Sequence, residues 1–223
     1  MKIFKTLCYV VFMLAAASSA DGSECASGDC QNGQGVYRWD DGGSYSGGFK
    51  DGKFDGRGVE KKADGATCEG EYFNGLMHGS GTHSWPDGSR YTGRWHNGKR
   101  SGRGVYTWAD GSRYEGEFAD NVMDGQAVFK WPDGSVYQGQ YFQGRREGRG
   151  TMVWPDGRKY QGDFKNNKME GKGVMIFPDG GIYDGEFADN TMNGNGRMTT
   201  PEGNTVGGLW KGGRLMAPTR PQQ

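Results

Sequence analysis

Aliphatic residues are scarce in this chain: Leu and Ile together number eight, and Leu, Ile, Val and Phe account for 30 of 223 residues. That share falls below the roughly 20% under which chains stop building an ordinary packed interior, so a large aliphatic core is excluded. Net charge is lacking too, with 27 basic against 27 acidic residues. This removes the electrostatic basis for nucleic acid as the main partner. Disorder requires high net charge and few aromatics, yet Phe, Trp and Tyr make up 13% of the chain, so the apolar material is aromatic rather than absent. Histidine occurs three times and no Cys-x-x-Cys pair is present, which leaves little for metal or nucleophilic chemistry. What is abundant is glycine, 43 residues, or nearly three times the roughly 7% of an ordinary domain. It lacks the three-residue period of collagen.

The first twenty residues read as an export signal. Lys2 and Lys5 precede an apolar stretch from Leu7 to Ala17, and Ser18-Ser19-Ala20 supplies small residues for cleavage after Ala20. The stretch is too short for a membrane span, and no later segment approaches the roughly 20 apolar residues that a helical crossing needs. The expectation is a soluble, exported protein, periplasmic or secreted, with residues 1–20 removed. A lipid anchor is not expected, because Cys25 follows Gly22-Ser23-Glu24 rather than a leucine and small residues. Removing the signal takes Cys8 with it and leaves 25 basic against 27 acidic residues. Residues 21–32 form an N-terminal cap segment, in which Cys25 and Cys30 are close enough for a local disulfide in an oxidising compartment. Connectivity stays open, since Cys68 could pair with either.

An internal period of 23 organises the rest. Tyr45, Tyr91, Tyr114, Tyr137, Tyr160 and Tyr183 recur at 23 or 46 residues, with Cys68 and Val206 completing the series. Taking these as repeat position 1, position 3 is glycine throughout (Gly47 to Gly208), position 5 is aromatic throughout (Phe49 to Trp210), and position 12 is glycine throughout (Gly33 to Gly194). Position 14 is glycine except at Ala127, and position 21 is glycine. The array spans 33–213, with seven full repeats over 45–205 and a half unit at each end. A disordered tail is expected over 214–223.

Two turn signals per repeat predict one β-hairpin per repeat. The first turn is expected over positions 6 to 11, where position 8 is Gly or Asn throughout, residues that tolerate left-handed backbone. The second is the Pro-Asp-Gly turn, as in Trp131-Pro132-Asp133-Gly134. A three-residue loop puts Pro132 at the second position of a type I turn, where no N–H is needed, and Gly134 at a left-handed bulge. Position 18 then pairs with position 22, positions 16, 14 and 12 face positions 1, 3 and 5 of the next repeat, and a six-residue first turn gives the same partners within a repeat, which sets a position 12 glycine on both sides of each position 5 ring. One face collects Tyr91, Trp95, Trp108, Tyr114, Phe118, Trp131, Tyr137, Tyr141, Trp154 and Tyr160; the other is mostly Glu, Gln, Arg, Lys and Thr. The glycines leave space for rings to lie flat on the sheet.

The strings Tyr114-Glu115-Gly116-Glu117-Phe118, Asn121, Gly125 and Trp131-Pro132-Asp133-Gly134 resemble MORN (membrane occupation and recognition nexus) repeats. The resemblance implies an all-β fold, an elongated, twisted antiparallel β-meander of about sixteen strands in 23-residue hairpin repeats. It implies a scaffold, membrane-proximal adaptor or dimerising module, with no catalysis by the repeats themselves. About ten residues follow Gly213, so no appended catalytic domain and no cofactor are expected. The partner is expected to be another protein or a second copy joined end to end through open terminal strands. The alternative is a ligand-binding module for membrane lipid headgroups or cell-envelope glycans, the latter stacking on exposed rings. Lipid recruitment wants clustered cations, and the local basic patches are Lys99-Arg100 with Arg103 and Arg145-Arg146 with Arg149.

The Asp-Gly turns (Asp87, Asp110, Asp133, Asp156, Asp179) are accounted for by turn chemistry rather than by calcium, which wants several convergent oxygens. One place interrupts the aromatic face: the register sets Cys68 between Glu60 and His83, with Lys62 where other repeats carry tryptophan. A thiol between an imidazole and a carboxylate is a candidate reactive or soft-metal site. The plain alternative is a degenerate repeat with Cys68 as a small buried residue or a disulfide partner.

Overall fold

The computed structural model describes residues 22–218, so the signal segment and its cleavage site after Ala20 lie outside the described residues. Eighteen strands and no helix occur among them. The chain divides into two compact units, one running up to Asp110 together with Phe118–Asn121, the other comprising Gly111–Glu117 and the chain from Val122. The first unit holds β1 (Glu24–Gly28), β2 (Gln34–Arg38), β3 (Ser44–Lys50), β4 (Lys53–Lys61), β5 (Thr67–Phe73), β6 (Leu76–Ser84), β7 (Arg90–His96) and β8 (Lys99–Thr107). The strand β9 (Arg113–Ala119) is divided between the units. The second unit holds β10 (Val122–Lys130), β11 (Val136–Phe142), β12 (Arg145–Val153), β13 (Lys159–Lys165), β14 (Lys168–Ile176), β15 (Ile182–Ala188), β16 (Thr191–Thr199), β17 (Thr205–Lys211) and β18 (Arg214–Pro218). Within each unit every strand pairs antiparallel with its sequence neighbours, as the meander requires. Two strands exceed the sixteen expected: β1 lies in the cap segment, and β18 occupies the start of the stretch read as a disordered tail. Each adds a strand to the end of its unit, pairing with β2 and β17.

The Pro-Asp-Gly turn is the three-residue loop expected. Trp131 and Ser135 are joined by a backbone bond, Gly134 donates to the Trp131 carbonyl, and Gly134 has φ +90. Asp133 Oδ1 accepts the Ser135 N–H at 2.8 Å, and Asp87, Asp156 and Asp179 make the same bond two residues on. The aspartates are therefore committed to their own turns. Across these turns the register is the expected one: Phe129 faces Tyr137, Ala127 faces Gly139 and Gly125 faces Tyr141.

The first turn differs. It is a two-residue hairpin, not a six-residue loop: Phe142 pairs with Arg145 around Gln143-Gly144. Both turn residues have positive φ, +49 and +76, the conformation of a type I′ turn, whose twist matches the flanking strands. Asp120-Asn121, Asn166-Asn167 and Asp189-Asn190 adopt it without glycine, because a short amide or carboxylate side chain tolerates left-handed backbone. The residues assigned to a longer loop are absorbed by a bulge beyond Gly139, after which Tyr141 faces Arg146 at position 10. Gly148 at position 12 sits in the bulge with φ +65, and a Cβ there would meet Gln140 of the outer face at 2.7 Å. Position 12 thus makes room on the outer face, not for the ring at position 5 within its own repeat.

Successive type I′ turns also brace one another. The backbone N–H of Asn190 donates to the Met169 carbonyl, and Asn190 Oδ1 accepts the Met169 N–H at 2.9 Å. Alanine at 190 would lose that bond and hold a Cβ at φ +67, so Asn190→Ala should destabilise by about 1 to 2 kcal/mol. Asn190→Gly should cost clearly less, because it relieves the backbone; urea denaturation of both variants measures the difference.

The core is the position 1 tyrosine column. Tyr45, Tyr91, Tyr114, Tyr137, Tyr160 and Tyr183 are each 0% exposed. Except for Tyr114, whose position 14 is Ala127, each ring lies across the glycines of positions 3 and 14: a Cβ on Gly150 would stand 2.6 Å from the Tyr137 hydroxyl. The hydroxyl donates to the carbonyl of position 4, Tyr137 to Gln140 at 3.0 Å and Tyr160 to Asp163 at 2.9 Å, so the buried O–H is satisfied. The ring is clasped edge-on by position 5 of its own and the next repeat: Tyr137 lies 5.5 Å from Tyr141 and 5.0 Å from Phe164, at interplanar angles of 85° and 81°. Where Cys68 supplies no ring, the Met77 side chain fills the gap over Gly70 and Gly81.

Candidate functional site

Burial sorts the aromatic face into core and surface. Tyr91, Tyr114, Tyr137 and Tyr160 are fully buried, and Trp95, Phe118 and Tyr141 at position 5 nearly so. Of the ten rings expected on that face, only Trp108, Trp131 and Trp154 of position 18 are half-exposed. The rings of positions 1 and 5 are spent on holding the sheet together, so a ligand on this face meets the tryptophans.

In the second unit the tryptophans border a groove of about 490 Å³. Trp131 and Trp154 form part of its lining, with Met152, Phe164 and Met169, and Arg146 enters it from β12. The Arg146 guanidinium lies 5.6 Å from the Trp131 ring centre, 5.5 Å from Tyr137 and 5.5 Å from Phe164, a cation–π setting. Its Nη2 donates to the Asn167 carbonyl at 2.7 Å. Desolvation holds its pKa below the ordinary arginine value. Arg158 lies 5.2 Å over Trp154 and pairs with Asp156 at 2.7 Å. The site is a trough of aromatic and thioether side chains with two guanidinium groups, its lining completed by Asp133, Ser135 and Asn190, and it suits apolar side chains flanked by acceptors.

Position 10 falls within the stretch expected to form the first turn. Its column, Phe54, Met77, Arg100, Met123, Arg146, Met169 and Met192, is apolar at five of seven places, a signal that marks a core position. Once the bulge is in place it faces position 5. The same geometry dissolves the two basic patches. Lys99 pairs with Asp120 at 3.4 Å, Arg100 turns into the aromatic face at 6% exposure, and Arg103 lies on the outer face. Likewise Arg145 donates to Asn166, Arg146 faces the groove and Arg149 pairs with Asp163. Neighbouring strand residues point to opposite faces, so adjacency in sequence does not make a patch.

The cluster around Cys68 is brought together as expected: Glu60 faces Cys68 on one side and His83 on the other. Cys68 is fully buried beneath the sheet face, so its sulfur is closed off from any substrate. His83, 2% exposed, stacks on Trp85 at 3.9 Å between ring centres. Burial, with Lys62 and Arg100 adding to it, lowers its pKa to about 4. The Glu60 carboxyl is pushed up by burial. Cys25 and Cys30 are joined, with their Cα atoms 6.0 Å apart. Among the described residues no group of three or more His, Cys, Asp or Glu side chains could hold a metal ion, and no helix is long and apolar enough to cross a membrane.

Among curated protein sequences none matches the chain. Solved structures with some likeness include the SAS-4 (dCPAP) TCP domain in complex with a proline-rich motif of Ana2 from Drosophila melanogaster, at 13% identity, covering 91% of this chain and 99% of that one, TM-score 0.42. The CPAP G-box domain is 16% identical, covering 90% and 100%, TM-score 0.41, and the TCP10 domain of Danio rerio CPAP is 14% identical, covering 92% and 98%, TM-score 0.35. The model of the MORN repeat matches eight times, at residues 31–44, 45–67, 68–90, 91–113, 114–136, 137–157, 160–182 and 183–205. With its position 1 rings, type I′ turns and Pro-Asp-Gly loops recurring in the same register, the chain belongs to the MORN-repeat family.

Proposed function

We propose that this protein is an exported, non-catalytic repeat scaffold that engages a protein partner through the groove of its second unit. Export is read from residues 1–20 alone. The observation that carries the binding reading is the contrast between positions 1 and 5, consumed by internal packing, and Trp131 and Trp154, which remain half-exposed beside Arg146. Tryptophan and arginine are the residues over-represented where proteins bind one another tightly. A glycan is less favoured, because one face of each indole already carries a guanidinium. Lipid headgroups are less favoured, because the cations of the two sequence patches are separated onto different faces or paired with carboxylates. End-to-end association of copies would use β1 and β18 and leave the tryptophans untouched.

The test is affinity capture from the envelope fraction with the full chain as bait, beside Trp131→Ala/Trp154→Ala and the outer-face control Gln161→Ala. Loss of the captured partner by about tenfold or more in the tryptophan variant, with retention by the control, is the expected result. Equal capture by all three baits, or recovery of other copies of the chain alone, contradicts the groove.

A further inference from the structure

Arginine at position 10 makes poor sense for the fold alone. Methionine or phenylalanine fills the same place in other repeats without the desolvation that a guanidinium suffers on a packed face. Arg146 forms no ion pair with a carboxylate among the described residues. Its side chain donates to the Asn167 carbonyl, and Nη1 touches the Met152 sulfur at 3.8 Å. A guanidinium has five N–H donors, so the larger part of its capacity has no acceptor among the described residues.

Arg100, two repeats earlier, shows what a purely internal arginine looks like. The Tyr106 ring lies 5.3 Å from it, and the side chain is sealed to 6% exposure. At the equivalent place over Arg146 stands Met152, shorter and without a ring, and Arg146 opens into the groove. Asp133, whose Oδ1 is engaged by the Ser135 N–H of its own turn, is the one carboxylate in the groove lining, and a cation with spare donors set among aromatic and thioether side chains is the complement of an anion carried by an apolar chain.

Resting on the groove reading above, we infer that Arg146 anchors a carboxylate, an Asp or Glu side chain within an extended segment of the protein partner, whose flanking apolar side chains lie against Trp131 and Trp154. The fork of a guanidinium matches a carboxylate with two parallel bonds, and the low local dielectric strengthens them. Selection for an acidic segment follows, since a neutral one would leave the guanidinium desolvated a second time.

Two display libraries of short random peptides, one lacking Asp and Glu and otherwise identical, are panned against the full chain and against Arg146→Met, Arg146→Lys and Trp131→Ala. The expected binders come from the acid-containing library, weaken at least about tenfold on Arg146→Met, and recover in part on Arg146→Lys. Arg146→Met should melt no lower than the parent chain, which separates lost binding from lost folding. Binders that require Trp131 but ignore Arg146→Met, or that come equally from the acid-free library, overturn the acidic anchor and leave the groove reading standing. Binders indifferent to both residues, or no binder at all, overturn both. Arg146-dependent binding of an oligouronate without any peptide binder overturns the proposal in favour of a sugar acid.

Discussion

Gly162→Ala, the addition of a single methyl group, is expected to remove most of the stability of the second unit. The new Cβ would stand 2.4 Å from the Tyr160 hydroxyl, 2.5 Å from the Gly173 Cα and 2.6 Å from the Lys172 carbonyl oxygen. Two of those three atoms are backbone of the neighbouring strand, so a rotamer change cannot relieve the contact. Either β13 and β14 separate or the Tyr160 ring leaves its place between Phe164 and Phe187, from which it lies 5.2 and 4.9 Å. Overpacking with backbone displacement costs on the order of 3 kcal/mol or more, and valine costs more than alanine. Gln161→Ala, one residue away but exposed on the outer face, should stay within about 0.5 kcal/mol of the parent chain. Urea titrations of the three proteins decide it, and equal midpoints for Gly162→Ala and Gln161→Ala would refute the ring-over-glycine packing.

The second large effect is a loss of stability in mild acid that traces to His83. Its pKa is about 4 in the folded chain against an ordinary value of about 6.5 in the unfolded one. As pH falls below about 6.5 the unfolded chain takes up the proton first, so unfolding becomes more favourable. The contribution is fully present above that value, declines on the way down to about 4, and changes no further once both states are protonated. With His83 buried against Trp85, its size is on the order of 2–3 kcal/mol. Glu60, whose carboxyl is raised by burial, acts in the opposite sense: its protonated form is favoured by folding, and stability is gained as pH falls. The comparison that isolates the histidine is therefore His83→Phe, which keeps a ring at a position where another repeat carries Phe129. Unfolding free energies at pH 7 and pH 4.5 should converge for His83→Phe and diverge by about 2 kcal/mol for the parent chain. Parallel losses in both proteins would refute the assignment.

Much of this architecture is decided by local rules. The 23-residue period, the three-residue Pro-Asp-Gly loop and the pairing of positions 16, 14 and 12 with positions 1, 3 and 5 of the next repeat follow from turn chemistry and strand alternation. The same rules place Tyr137 over Gly139 and Gly150, and set Cys68 between Glu60 and His83. Each of these consequences lies within a few residues of a Gly, Pro, Asn or Asp whose preferred backbone conformation is intrinsic.

The first turn is where those rules stop being sufficient. Asn-Gly and Asp-Asn at positions 7 and 8 are compatible with a tip of two residues or with a longer loop. Only the packed sheet chooses, because a two-residue tip with a bulge lets position 10 face position 5 and lets each turn bond to the one before it. That choice brings Arg146 to the aromatic face and separates it from Arg145 and Arg149. Which rings remain accessible is likewise a tertiary result: Tyr160 and Trp154 are both aromatic residues on one face, but only the tyrosine has partners at position 5 on either side. By itself the sequence determined the repeat, its register and its core column, since these rest on local backbone preference and side-chain parity. Tertiary structure alone decided the bulge and with it the groove, because contacts between neighbouring repeats select one of two turns that are locally comparable.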